Sequence, residues 1–283
     1  MKRVLVIGSG SYIARTFTKV AAGQLEMTGL PGQNQAWNET SFEGFDAVLL
    51  CAGLVHQRKT TPATTFDDIN HRMALSIAQK AKSVGVSQFV FLSTMSVYGR
   101  SSGTITADTQ PDPRPHDPYG MSKWAAEQDL QALQDQSFTL TILRPPMVYG
   151  PGCPGNFQGL ITLAKLPFFP SLRNERSMIY VEDLGRLLCA LIEQRRGGVF
   201  CPQNRQTVCT ADMVRAIGQA RGRTVRLLSL LNPAAQLLKR LHPAAQKLWG
   251  DYTYDSSLSE ISGIEYQLTS LEESVRRSII FSA

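Results

Sequence analysis

Tyr119 and Lys123 stand four residues apart in the stretch Tyr119-Gly120-Met121-Ser122-Lys123. On a helix this spacing puts both side chains on one face, one turn apart. A free phenol, with a pKa near ~10, is a poor base at neutral pH. A neighbouring ammonium favours the phenolate, so such a tyrosine could take a proton from a hydroxyl. Upstream, the apolar Phe91-Leu92 runs into Ser93-Thr94-Met95-Ser96-Val97-Tyr98-Gly99. This reads as a buried strand with hydroxyl side chains at its C-terminal end. Ligands of open parallel sheets bind at such ends, so Thr94 or Ser93 would meet a substrate oxygen beside Tyr119.

A glycine turn supplies the other half of the chemistry. Val6-Ile7-Gly8-Ser9-Gly10-Ser11-Tyr12-Ile13-Ala14 lies between the first strand and the first helix. There, backbone N–H groups and a helix N-terminus point at a pyrophosphate, and glycine lets the backbone approach it. Gly8, Gly10, Ser11, Tyr12 and Ile13 are the candidate cofactor contacts. An oxidised nicotinamide ring adds positive charge beside the phenol, and Lys123 would hydrogen-bond the nicotinamide ribose. Dinucleotide folds usually carry an acid at the end of the second strand for the ribose 2′-OH. Here only Glu26 is acidic in that strand, and Arg15 could instead meet a 2′-phosphate, so NAD and NADP both stay open.

The elements that position these residues alternate. Val4–Ile7, 25–28, Ala47–Cys51, Phe89–Leu92 and Leu140–Leu143 read as strands. Tyr12–Ala22, 65–84 and 118–136 read as helices, the second with Phe66, Ile69, Met73, Ile77 and Ala81 at helical steps. This pattern predicts an α/β fold, a Rossmann-like doubly wound parallel sheet, with residues 1–150 as the dinucleotide-binding domain. Prolines crowd the chain after Gly150. Residues 151–283 are therefore read as a smaller, discontinuous substrate lobe, with the helix 181–194 returning to the first domain. Gly197-Gly198 reads as a turn, and Thr269 with Glu272 as a capping box for a last helix.

At these motifs the chain resembles the extended short-chain dehydrogenase/reductases, the nucleotide-sugar epimerase/dehydratase family. The resemblance covers nearly the whole chain. It rests on the Ser93–Gly99 stretch, on Tyr119 with Lys123, and on Leu143-Arg144-Pro145-Pro146-Met147-Val148-Tyr149-Gly150-Pro151-Gly152. It rests also on Arg176-Ser177-Met178-Ile179-Tyr180-Val181-Glu182-Asp183-Leu184 and on Asn70 in the long helix. The resemblance implies Thr94, Tyr119 and Lys123 as catalytic residues, Ala52 and Gly53 at the strand end that passes the cofactor, and Pro146 at the nicotinamide end. It implies Ser93, Thr94, Asn156 and Arg176 as substrate contacts, Arg176 on a diphosphate. The glycine motif departs from the family pattern, with Ser11 and Ala14 where it has glycine. Met95 and Ser96 follow Thr94 where a dehydratase carries acids, which argues against 4,6-dehydration. A nucleotide-sugar epimerase acting at C4 through a keto intermediate is the favoured expectation. A 4-keto-sugar reductase is the first alternative, and a non-catalytic dinucleotide sensor or scaffold the second.

Composition narrows the setting. The 283-residue chain carries a net charge of +6, which fits a phosphorylated small molecule; the basic residues read as dispersed rather than gathered in a nucleic-acid-binding arm. Met1–Gly8 begins like a signal peptide, but its apolar run stops at the glycines and reads as a strand. Five cysteines without a C-x-x-C pair fit a reducing cytoplasm and no zinc site, and the four histidines lack ligand spacing. His56 is a loop residue that should pass near the cofactor. The stretch from Asn232 to Trp249 mixes leucines with Lys239, Arg240 and Lys247. It could lie on an anionic membrane, but packing inside the lobe is favoured because Pro243 breaks it. The helices 65–84 and 118–136 could form a homodimer interface.

Overall fold

The computed structural model describes residues 1–32, 36–55, 61–114 and 117–280. The chain divides into two compact units. The first comprises Met1–Gly99, Gln110–Pro145 and Leu184–Pro202; the second comprises Arg100–Thr109, Pro146–Asp183 and Gln203–Ala283.

The first unit is built on a six-stranded sheet. Its strands are β1 (Arg3–Ile7), β2 (Glu26–Leu30), β3 (Ala47–Leu50), β4 (Gln88–Leu92), β5 (Thr139–Leu143) and β6 (Gly198–Phe200). They lie in the order β2-β1-β3-β4-β5-β6, and every pairing is parallel. The order reverses between β1 and β3, which opens a ligand crevice at the C-terminal ends of those two strands. β3 and β4 are buried at every position, as strands covered on both faces must be. The turn expected at Gly197-Gly198 leads directly into β6, whose three residues give too short an apolar run to announce a strand.

Alternate residues of the strands serve opposite layers. Leu5, Ile7, Val48, Leu50, Phe89, Phe91, Leu140 and Ile142 form one core with Ala74, Ile77, Ala78, Ala81, Ala126 and Leu130. The last six come from α2, residues 63–83, and α3, Pro118–Gln131. On the other face, the part of the Val181–Glu193 helix that belongs to this unit meets α1 (Tyr12–Val20), where a Cβ at Gly185 would come 3.3 Å from Val20.

Two helices differ from their sequence pattern. α2 is interrupted by a π turn, Asp68–Arg72, between Ala63–Asp67 and Met73–Ser83. α3 stops at Gln131 rather than running to residue 136, because Asp135 folds back on its own neighbours. Its Oδ1 accepts from the N–H of Ser137 at 2.8 Å and of Phe138 at 2.9 Å. Such local bonds compete with helix continuation.

α2 and α3 are tied by polar contacts outside the core. His71 bonds Asp67 on its own helix at 2.8 Å and Asp129 on α3 at 2.7 Å. Deeper in, the carboxylate of Glu127 on α3 receives Arg144 Nη2 at 2.6 Å and Nε at 3.1 Å. Arg144 Nη1 donates to the Tyr98 hydroxyl at 2.8 Å, and Ser93 Oγ donates to Glu127 Oε1. Glu127 is wholly buried and Arg144 is 7% exposed.

The second unit contains three two-stranded parallel pairs and several helices, including Asn156–Leu163, Thr210–Ala220 and Leu271–Ile280. The last helix is capped one residue later than its sequence suggests. Ser270 Oγ accepts from Glu273 N at 3.2 Å, while Thr269 Oγ1 is drawn to Asp183 Oδ1 at 3.0 Å.

Two outcomes follow for stability. Removing the Glu127 carboxylate by Glu127→Ala strands a buried guanidinium, and chemical denaturation should show a loss of about 3–5 kcal/mol. For His71, burial works to lower the pKa, but the bonds to Asp129 and Asp67 outweigh it, so the folded value is raised. Its contribution is then complete below the ordinary value near ~6.5 and fades as pH climbs through the folded one. The melting temperature of the wild type should exceed that of His71→Ala by roughly 1–3 °C below that value, and the gap should close in mildly alkaline buffer.

Candidate active site

The glycine turn is held between strand ends. Gly8 has φ +87°, and a Cβ there would come within 2.4 Å of the Ala52 nitrogen. Both counts exclude any larger residue. Cys51 N and Ala52 N donate to Ile7 O at 2.8 and 3.0 Å, which draws the end of β3 against the turn. Gly8 N and Ser9 N donate to Leu30 O at 2.9 and 3.0 Å, which draws in the end of β2. Ser11 is the N-cap of α1, its hydroxyl accepting from Ala14 N at 3.3 Å. Tyr12 and Ile13 form the first turn of that helix. Gly10 is exposed, with nothing within 4 Å of a Cβ placed on it. The turn thus offers a bare backbone and the N-terminus of α1, which fits a pyrophosphate.

Glu26 is not where a ribose partner should be. It opens β2 beside Arg3, at the end of the strand remote from the turn, with Arg3 Nε 3.8 Å away. Arg15 lies at the turn itself, its Nη1 donating to Gly10 O at 3.0 Å. His56 lies outside the described residues.

Thr94 ends the strand edge and begins a short 3-10 turn, Met95–Tyr98. Its Oγ1 accepts from Ser96 N at 3.1 Å, which fixes the side chain, and its hydroxyl bonds the Tyr119 phenol. Tyr119 stands in the first turn of α3, capped by Asp117, whose Oδ1 accepts from Gly120 N at 3.1 Å. Gly120 permits that approach. A Cβ there would come within 2.9 Å of Ser96 O and 2.8 Å of Asp117 Oδ2.

Lys123 is buried, its Nζ donating to Leu92 O at 2.9 Å and standing 4.5 Å from the centre of the Phe91 ring. A Cβ on Gly53 would come 3.3 Å from that Nζ. The ammonium therefore occupies the ground between the ends of β3 and β4. Asn70, in the π turn of α2, completes the frame. Its amide accepts from Leu54 N at 2.8 Å, donates to Leu54 O at 3.0 Å, and donates to Ser122 Oγ at 3.1 Å.

The electrostatics correct one expectation. Burial pushes the Tyr119 phenol up to about 12; the Thr94 hydroxyl works to lower it and the Asp117 charge raises it further. Lys123 is not among the groups that move it. Burial brings the Lys123 ammonium down to about 8, against the pull of Cys51 and Glu127. The protein alone therefore keeps the phenol protonated at neutral pH.

Ser93 is 3% exposed and its hydroxyl is committed to Glu127, so of the two strand-end hydroxyls only that of Thr94 meets Tyr119. The Glu127–Arg144 pair escaped the sequence reading. Its signal was present: Glu127 continues the Tyr119, Lys123 spacing by another four residues.

In the second unit, Arg176 is half-buried, its Nη1 donating to Gly250 O at 3.0 Å. Burial works to lower its pKa. Asn156 is exposed and begins the Asn156–Leu163 helix, after Gly155 at φ +81°. Pro146 is buried at the start of a segment of this unit. Among the described residues no group of histidines, cysteines and carboxylates could hold a metal ion.

The chain is 32% identical over 195 residues to a UDP-glucose 4-epimerase of Vibrio cholerae, covering 64% of this chain and 59% of that one. It is 24% identical, over 95% of its own length and 83% of the other's, to an N-acetyl-alpha-D-glucosaminyl-diphospho-ditrans,octacis-undecaprenol 4-epimerase of Escherichia coli O157:H7. Its fold matches the structure of a UDP-glucuronic acid 4-epimerase of Bacillus cereus in complex with NAD. That match has a TM-score of 0.73 at 19% identity, over 99% of this chain and 98% of the other. Residues 3–200, the larger part of the chain, match the NAD dependent epimerase/dehydratase family, and the chain belongs to that family.

Proposed function

We propose that the protein is an NAD(P)-dependent epimerase of nucleotide sugars, acting at C4 through a transient keto intermediate. The observation that carries this reading is the Tyr119 phenol on the Thr94 hydroxyl, with Lys123 anchored two residues earlier on the same strand edge. The two curated relatives described above both carry C4 epimerase names. The Escherichia coli relative's name places a diphosphate on its sugar, so diphosphate-linked sugars are the substrate class.

Gly8, Gly10, Ser11, Tyr12 and Ile13 would hold the pyrophosphate side of the cofactor, and Ala52, Gly53, Lys123 and Pro146 its nicotinamide side. Bound NAD(P) supplies the hydride acceptor and, when oxidised, a positive charge near the phenol. Thr94 holds the C4 oxygen of the sugar through its hydroxyl. Tyr119 would take that oxygen's proton as the C4 hydrogen leaves as hydride, and would return it as hydride comes back to the opposite face of C4. Lys123 fixes the ribose and keeps a positive charge beside the strand ends. In the second unit, Arg176 is suited to the diphosphate by its planar fork, with Asn156 as a further substrate contact.

The decisive experiment is turnover with a panel of UDP-, GDP- and dTDP-sugars, read by product composition and by nicotinamide absorbance. An epimerase interconverts C4 epimers with no net change in NAD(P)H. Stoichiometric NAD(P)H consumption by a 4-keto sugar would assign a reductase instead. Tyr119→Phe should lower kcat by roughly a thousandfold, the scale of a lost acid–base group. Unchanged turnover would remove Tyr119 from the chemistry.

Gly120→Ala should push the start of α3 away from Ser96. We expect kcat to fall by roughly tenfold to a hundredfold, the scale of a small misplacement, with less effect on melting temperature. The phenol makes its own prediction. Opposite charge favours the ionised form, so NAD⁺ should shift Tyr119 ionisation to lower pH. An ultraviolet difference titration of the wild type against Tyr119→Phe, with and without NAD⁺, reads this directly.

A further inference from the structure

We propose that the second unit docks on an anionic lipid bilayer through the helices Asn232–Leu241 and Pro243–Trp249. This goes beyond the catalytic reading and does not depend on it.

The sequence favoured packing of these leucines inside the lobe, and the structure places them elsewhere. Leu237, Leu238 and Leu241 are 57%, 51% and 72% exposed, and Leu230, just before the first helix, is 86% exposed. At about 100° per residue the three helical leucines fall within roughly 100° of arc. The buried Ala235 lies roughly 110° from the middle of that arc, on the side the helix turns inward. The leucine stripe is therefore its outer face. Pro243 separates two functions: after it, Trp249 turns in to pack on Phe169 at 6.1 Å between ring centres. The first helix keeps its leucines outward.

Charge selects the partner. Residues 213–250 contain seven lysines and arginines and no aspartate or glutamate, so this segment carries more than the whole +6 surplus of the chain. The surplus is thus concentrated rather than dispersed. Lys239, Arg240 and Lys247 make no ion pair among the described residues. A cavity of about 580 Å³ beside the leucines is lined by Leu172, Lys239, Arg240, Leu241, His242 and Gln246. It offers cations to a phosphate headgroup while the leucines enter the acyl boundary, the arrangement of an interfacial helix. A second copy of this chain is the poorer occupant. A two-fold interface would set the same acid-free, cationic segment against itself. Among the described residues no helix is long and apolar enough to cross a membrane, so the contact is one of surface.

Cosedimentation with vesicles tests this on the full chain. At low salt the protein should bind vesicles of phosphatidylcholine with about one third phosphatidylglycerol at least about tenfold more than phosphatidylcholine alone. Raised salt should weaken the binding. Leu237→Gln with Leu241→Gln, and separately Lys239→Glu with Arg240→Glu, should each lose about tenfold. Leu237, Leu241 and Arg240 are exposed and Lys239 is half-buried, and none of them belongs to the candidate active site, so melting temperature and turnover of a soluble UDP-sugar should stay near wild-type values. No binding to anionic vesicles at low salt would overturn the proposal, as would equal binding to neutral ones. A dimer in analytical ultracentrifugation that the leucine changes abolish, without vesicle binding, would overturn it in favour of a second copy.

Discussion

The candidate site of the first unit depends on a carboxylate that stands outside it. Glu127 sits one helical turn beyond Lys123 and two beyond Tyr119, on one stripe of α3. Its ion pair with Arg144 binds that helix to the end of β5, and its bond from Ser93 binds it to the residue before Thr94. A buried ion pair adds little net stability, because desolvation offsets its attraction. It does impose geometry, since a displaced helix would leave two buried charges unmet. The clamp therefore fixes the distance between the strand edge that carries Thr94 and the helix that carries the tyrosine and lysine.

Around that frame the protein raises the phenol and lowers the ammonium, both through burial. Each group is thereby held nearer its neutral form than it would be in water. Such a site is poised to respond to charge brought by a ligand, because a low-dielectric setting amplifies any added charge. The Thr94 hydroxyl, pinned by Ser96 N–H, is the fixed donor in this setting.

Much of this was legible in the chain. Apolar runs alternating with helical periods gave the parallel sheet, since strands buried on both faces must be apolar throughout. The Y-x-x-x-K spacing gave the tyrosine and lysine, because helical spacing alone sets a shared face. Other features needed three dimensions. Ser93 and Thr94 are adjacent and both hydroxylic, yet neighbours on an extended chain point opposite ways, and only Thr94 meets Tyr119. Glu26 lay in the right strand but at its wrong end, which depends on register. Leu237 and Leu241 look like core residues by pattern; only the fold shows which side of a helix is turned outward.

The π turn at Asp68–Arg72 trades backbone regularity for the placing of one side chain. A π turn is an α-helix holding one residue too many, with weaker backbone bonding as the cost. Here that surplus residue rotates Asn70 into the space between Leu54 and Ser122. Deleting a single residue would straighten the helix and improve its hydrogen bonding while swinging the amide out of reach. A change that heals the local backbone would thus loosen the loop leaving β3.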